Sequence, residues 1–274
     1  MNRVPREEAE PLAFGRLLHE VFESKFKYGN MEVALDKCRT DWYSQAMMTV
    51  DSFERTSRLS AITQLKDLEE PLALWEDKYT INQTLEVEEP FEFNFGGFTY
   101  VGRPDRVVII DDNIWHVQNR GLNSSTNFGV YCNLAKRHYH EHIYAEALVR
   151  KYYKHKYGGT IFNLVRKLKY HTKNGKTKSL EEMFYQFPMS IDIDSSLHCH
   201  VMESILAWTF KMEEDYEIWL KDGVVPPPGE SMNGGLYGNS PDVYFRVLTG
   251  EIKLDDDRYF KDRKDPYAVL QNQG

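Results

Sequence analysis

The chain opens on a helical hydrophobic period. Leu17, Leu18, Val21, Phe22 and Phe26 recur three and four residues apart, which predicts a helix that Gly29-Asn30 ends. Gly15, His19 and Glu23 lie four apart and share one side of it. A helical Gly costs roughly 1 kcal/mol against Ala, so Gly15 is expected to admit a neighbouring backbone. Residues 31–48 and 52–78 read as two further helices, the second striped by Leu59, Ile62, Leu65, Leu68, Leu72 and Trp75. At residues 85–100 the period falls to two. Leu85, Val87, Phe91, Phe93 and Phe95 alternate with Glu86, Glu88, Glu92 and Asn94, and Gly96-Gly97 makes a turn. An antiparallel meander is the expected start of the sheet.

The next stretch, residues 101–120, organises the rest. Residues 107–110 are β-branched, Asp111-Asp112-Asn113 is turn chemistry, and residues 114–117 resume the apolar pattern. Gln118 and Arg120 are two apart on the second strand and share a face of its pleat, with Asp105 near the start of the first. That arrangement suits a divalent cation and a phosphate. Residues 121–133 read as a polar loop and residues 134–156 as a helix. Gly158-Gly159 are expected to end that helix before a strand at residues 160–170, so a crossover onto a mixed sheet follows. A strand at residues 183–191 and a helix at residues 195–220 complete the pattern. From residue 223 the chain turns Pro- and Gly-rich and reads as an irregular tail.

Composition narrows the functional classes. With 28% charged and 41% hydrophobic residues the chain is globular, and 14% aromatics predict a core of large rings. A net charge of −8 argues against a general cationic coat for nucleic acid, leaving room for a local basic groove. Cys38, Cys132 and Cys199 are scattered without CxxC spacing and are expected to be buried, reduced thiols. No apolar run approaches ~18 residues and no signal-peptide core is present, so a soluble, cytoplasmic protein away from membranes is expected. Arg166, Lys167 and Lys169, with the lysines up to Lys178, form the one concentrated basic region, either a solvated hairpin or an edge facing nucleic acid. His138 and His142 have i,i+4 spacing with Glu141 between, but lack the HExxH order of zinc proteases.

Four motifs in chain order resemble those of the PD-(D/E)XK nucleases of the RecB type, including phage-encoded exonucleases. GRLLHEVFE supplies Gly15, His19 and Glu23 for G-x-x-x-H-x-x-x-E. Gly102-Arg103-Pro104-Asp105 matches G-x-x-D. Gln118-Asn119-Arg120 stands at (D/E)-x-K, and HEHIYAEAL sets His140 and Tyr144 at Q-x-x-x-Y. The resemblance implies an α/β, restriction-endonuclease-like domain across residues 1–274. It would comprise a mainly helical part (1–83), a mixed sheet flanked by helices (84–222) and a C-terminal tail (223–274).

It also implies the chemistry. Asp105, Gln118 and Arg120 take the catalytic positions, and His19, Asp105 and Gln118 would hold Mg²⁺ or Mn²⁺. Tyr144 and His140, with Arg166, Lys167 and Lys169, would face DNA. Gln118 replaces a carboxylate, so metal binding is expected to weaken, with Glu23 or Glu141 as substitute donors. Arg120 can hold a phosphate but cannot act as a base. Gln186 stands where relatives carry a basic residue, and residues 231–245 lack the cysteines of an iron–sulfur cluster, so none is expected. The implied activity is metal-dependent DNA hydrolysis, as an exonuclease rather than an endonuclease. The alternative is an inactive pseudo-nuclease that binds DNA or a protein partner.

Overall fold

The computed structural model describes residues 3–5, 10–76, 78–135, 139–172, 174–222 and 260–262. Two compact units divide the chain: residues 10–211, and residues 1–9 with 212–274. In the second, β1 (Arg3–Pro5) pairs antiparallel with a strand at Phe260–Asp262. Most of the expected tail, and His138, lie outside the described residues.

The larger unit begins with α1 (Glu10–Tyr28), α2 (Met31–Met48), α3 (Ser52–Lys66) and α4 (Glu69–Leu74). The single helix expected over 52–78 is two helices. Pro71 sits in the first turn of α4, where its missing N–H is tolerated, but its ring would clash with a helix continuing from Asp67. Gly29 takes the left-handed conformation after α1 (φ 69°), and the Asn30 side chain caps α2 by accepting from Val33 N.

Strands β2 (Gln83–Val87), β5 (Arg106–Ile110), β6 (Asn113–Leu122), β7 (Lys156–Arg166) and β8 (Phe184–Ser190) form one sheet in that order. Only β6 and β7 run parallel, joined through α5 (Phe128–Ala135) and α6 (His140–Lys151), so the expected mixed sheet flanked by helices is present. The β5–β6 hairpin forms as the sequence indicates. Asp111 and Asp112 are both left-handed (φ 48° and 61°) between the paired residues Ile110 and Asn113, a turn whose twist matches the strands.

The meander does not form. After β2 the chain leaves the sheet, and β3 (Phe91–Phe95) and β4 (Phe98–Gly102) make a separate hairpin. Glu88, left-handed at φ 53°, and Pro90 end the ladder between them. The loop expected at 121–133 becomes helical from Phe128, because Asn127 Oδ1 accepts from Gly129 N (2.8 Å) and Val130 N (3.4 Å). The next strand starts earlier than expected and runs through both glycines. A Cβ at Gly158 would strike the Trp115 ring, and one at Gly159 the Met189 carbonyl.

Each face of the sheet has its own core. Phe14, Leu17, Leu18 and Phe22 of α1 join α2–α4, Val165 and Phe184 on one face. Ala145 and Leu148 of α6 cover Val107, Ile114, Phe162 and Leu164 on the other. After the short α7 (Leu180–Met183), α8 (Ser196–Asp222) meets α6 through buried His142 and His198, whose Nδ1 atoms lie 2.8 Å apart. Cys38 and Cys132 are buried, whereas Cys199 is exposed, because it falls on the outer side of α8. No helix among the described residues is long and apolar enough to cross a membrane.

Gly15 contradicts the expected close approach, since a Cβ there would meet nothing within 4 Å. Gly15→Ala is therefore expected to stabilise the protein by about 0.5–1 kcal/mol through helix propensity. Gly159→Ala should destabilise it by about 3 kcal/mol or more, having both a left-handed φ and a backbone clash. Urea midpoints of the two variants against wild type check this; equal losses would contradict it.

Candidate metal centre

Asp105 immediately precedes β5. Carrying the Arg106–Val117 register back one residue sets it opposite Gln118 on β6. Its Oδ2 accepts a hydrogen bond from Asn119 N at 2.6 Å and lies 3.2 Å from His19 Nδ1 of α1. Glu88 completes a cluster in which the ligand atoms of His19, Glu88 and Asp105 all lie within 4.8 Å of one another. Two carboxylate oxygens and an imidazole nitrogen suit Mg²⁺ or Mn²⁺. Glu88 reaches this point from the break that ends β2, held by its own N–H donating to the Asp105 carbonyl at 3.1 Å. A left-handed non-glycine residue costs about 1–3 kcal/mol, so this bend is a local strain that the surrounding bonds hold in place.

The carboxylates differ electrostatically. Burial and the neighbouring Asp105 charge push Glu88 up to about 7, against the pull of Arg103, whose Nε lies 2.9 Å from Glu88 Oε2. Burial would raise Asp105 too, but the His19 bond, the His19 and His116 charges and the Asn119 N–H outweigh it and hold the carboxyl below its usual range. The cluster thus has one firmly ionised carboxylate and one poised near neutrality.

Asn119 has a second task. Its Oδ1 accepts from Asn163 Nδ2 (3.0 Å), Asn163 Oδ1 accepts from Gln186 Nε2 (2.8 Å), and Gln186 Oε1 accepts from Lys78 N (2.6 Å). This buried amide ladder locks β6, β7 and β8 in register and so fixes the N–H that grips Asp105. Gln186, at a position expected to be basic, serves this ladder.

Beside the cluster lies a second buried array. Glu141 accepts from Thr160 Oγ1 at 2.6 Å, with His140 Nε2 2.7 Å and His116 Nδ1 3.4 Å from its carboxylate. Burial opposes ionisation of Glu141, but the two imidazoles hold it well below the normal range. His116 stacks on Tyr144 at 4.4 Å, and the Tyr144 hydroxyl, pushed up to about 12 chiefly by burial, donates to the Arg103 carbonyl at 3.2 Å.

The expected site residues therefore divide. His19 and Asp105 meet. Gln118 is buried at 2% exposure and accepts from Arg120 Nε at 3.2 Å, so these two engage each other. Glu23 pairs with Lys27, and Glu141 with its own array, so neither joins the cluster. Tyr144 and His140 line the inner face of α6. Arg166 bonds the Ser124 and Glu182 carbonyls, Lys167 Nζ lies over the Phe14 ring at 4.3 Å, and Lys169 lies 4.0 Å from Asp67. Lys167 and Lys169 fall beyond the end of β7. Sequence reasoning missed Glu88, whose alternation with Val87 reads as the outer face of a strand. It also passed over His116, which His-x-Gln-x-Arg parity could have set beside Gln118. No protein-family model matches the chain, and neither does any curated protein.

The raised Glu88 carboxyl predicts a pH effect. The folded state holds this proton to higher pH than the unfolded chain, so stability falls as pH rises from about 4.5 through about 7. Glu88→Gln removes that loss and should be more stable than wild type at pH 8, by on the order of 1–2 kcal/mol after solvent screening, with little difference at pH 4. Urea denaturation at the two pH values tests it; the same difference at both would contradict the raised carboxyl.

Proposed function

We propose that this protein is a metal-dependent phosphodiesterase acting on DNA, with a RecB-type PD-(D/E)XK site in which Glu88 replaces the carboxylate absent at Gln118. The observation that carries this reading is the meeting of His19, Glu88 and Asp105 around one point. His19 and Asp105 fall at the motif positions, and the third donor arrives from a different segment. His19, Glu88 and Asp105 would hold a divalent ion, which would supply polarisation of a phosphodiester and acidification of a bound water. Asn119 N–H and the amide ladder behind it keep Asp105 in place. The Glu88 backbone bond keeps the second carboxylate beside it.

The expected outcome is Mn²⁺- or Mg²⁺-dependent cleavage of labelled single- or double-stranded DNA. Asp105→Ala and Glu88→Gln should each lower cleavage by about a hundredfold or more while remaining folded. Mn²⁺ should raise the melting temperature of wild type at pH 8 and not that of either variant. A wild type that neither binds Mn²⁺ nor cleaves DNA would overturn the reading.

The Arg120–Gln118 bond favours the second reading, a fold that binds DNA or a partner protein without cutting. That bond occupies the carbonyl at the lost carboxylate position, and a guanidinium cannot supply a base. The double change Gln118→Glu with Arg120→Lys separates the two. On the first reading it raises an existing rate; on the second it creates cleavage where wild type has none.

A further inference from the structure

We propose that Arg103 binds the substrate phosphate beside the metal centre, supplying the cation that Arg120 and the basic strand do not. This rests on the metal-dependent reading above. Arg103 lies two residues before Asp105, and its Nε is 2.9 Å from Glu88 Oε2. That contact uses one of the five N–H donors of a planar guanidinium. The side chain is 64% exposed, so its terminal amino groups remain open to solvent. Its base is anchored: Tyr144 donates to the Arg103 carbonyl, and Pro104 is buried. A fixed stem with an exposed fork is what bidentate phosphate recognition needs.

The other cations considered for this role are engaged elsewhere. Arg120 bonds Gln118, Arg166 ties together two backbone carbonyls, Lys167 lies on Phe14, and Lys169 faces Asp67. Arg103 alone among these five has its ion pair within the cluster itself. Charge balance agrees. Two carboxylates offset a dication, and the single negative charge of a phosphodiester is then matched by one guanidinium.

The test uses the 274-residue wild type, Arg103→Ala and Arg103→Lys at pH 8.5. Mn²⁺ affinity is read from the free-ion paramagnetic resonance signal. Affinity for thymidine 5′-monophosphate, an uncleavable phosphate probe, is read by calorimetry with Mn²⁺ present. Arg103→Ala should bind Mn²⁺ as tightly as wild type or more tightly, while its nucleotide Kd rises about tenfold and Arg103→Lys recovers part of the loss. Weakened Mn²⁺ binding in Arg103→Ala would make Arg103 an anchor for Glu88 and overturn the proposal. An unchanged nucleotide Kd, or no nucleotide binding by Mn²⁺-loaded wild type, would overturn it while leaving the metal reading intact. Absence of Mn²⁺ binding in wild type would overturn both.

Discussion

The buried carboxylate of Asp105 is the constraint that the elements around it meet together. A buried carboxylate is stable only where donors replace the water it has lost. Asn119 N–H and His19 do this from two elements that are far apart in sequence. To bring Asn119 there, β5 and β6 must pair in one register, which the left-handed Asp111-Asp112 turn sets. To bring His19 there, α1 must lie against the end of β6, where Gly121 lets Phe14 and Leu18 come close. The Asn119–Asn163–Gln186 ladder then carries the same register across β7 and β8. A slip of one residue would turn every one of these side chains to the opposite face.

Glu88 shows how a carboxylate can arrive at a site by backbone route rather than by motif. The bend after β2 turns it away from the pleat it would otherwise follow and hands its N–H to the Asp105 carbonyl. Burial and the repulsion of the neighbouring Asp105 charge together raise the Glu88 carboxyl. Arg103 and His19 offset part of that repulsion. The Glu141 array lies beside this centre, its charge balanced by His116 and His140. His116 links the two systems, since its charge also favours the ionised form of Asp105.

Much of the fold was legible in the sequence because helix and strand periods are local. The stripe of α1, the β5–β6 hairpin with its Asp-Asp turn, the crossover and the long α8 all follow from spacings of a few residues. So did the shared face of Gln118 and Arg120 with Asp105 near it, whereas the candidacy of His19 came from the motif resemblance. Other readings failed where a local pattern was overruled. Pro71 divided one apolar stripe into two helices, Asn127 capped a helix inside an apparent loop, and Gly158-Gly159 served close strand packing instead of ending a helix.

By itself, then, the sequence determined the elements and the mixed sheet, since each is set by residues near one another along the chain. Tertiary structure alone decided that Glu88 completes the cluster, that Gln118 and Arg120 satisfy each other, and that Arg166 and Lys167 support the scaffold. Those outcomes depend on where a chain bends in space and on which polar groups burial forces to pair. No spacing along a single strand encodes either.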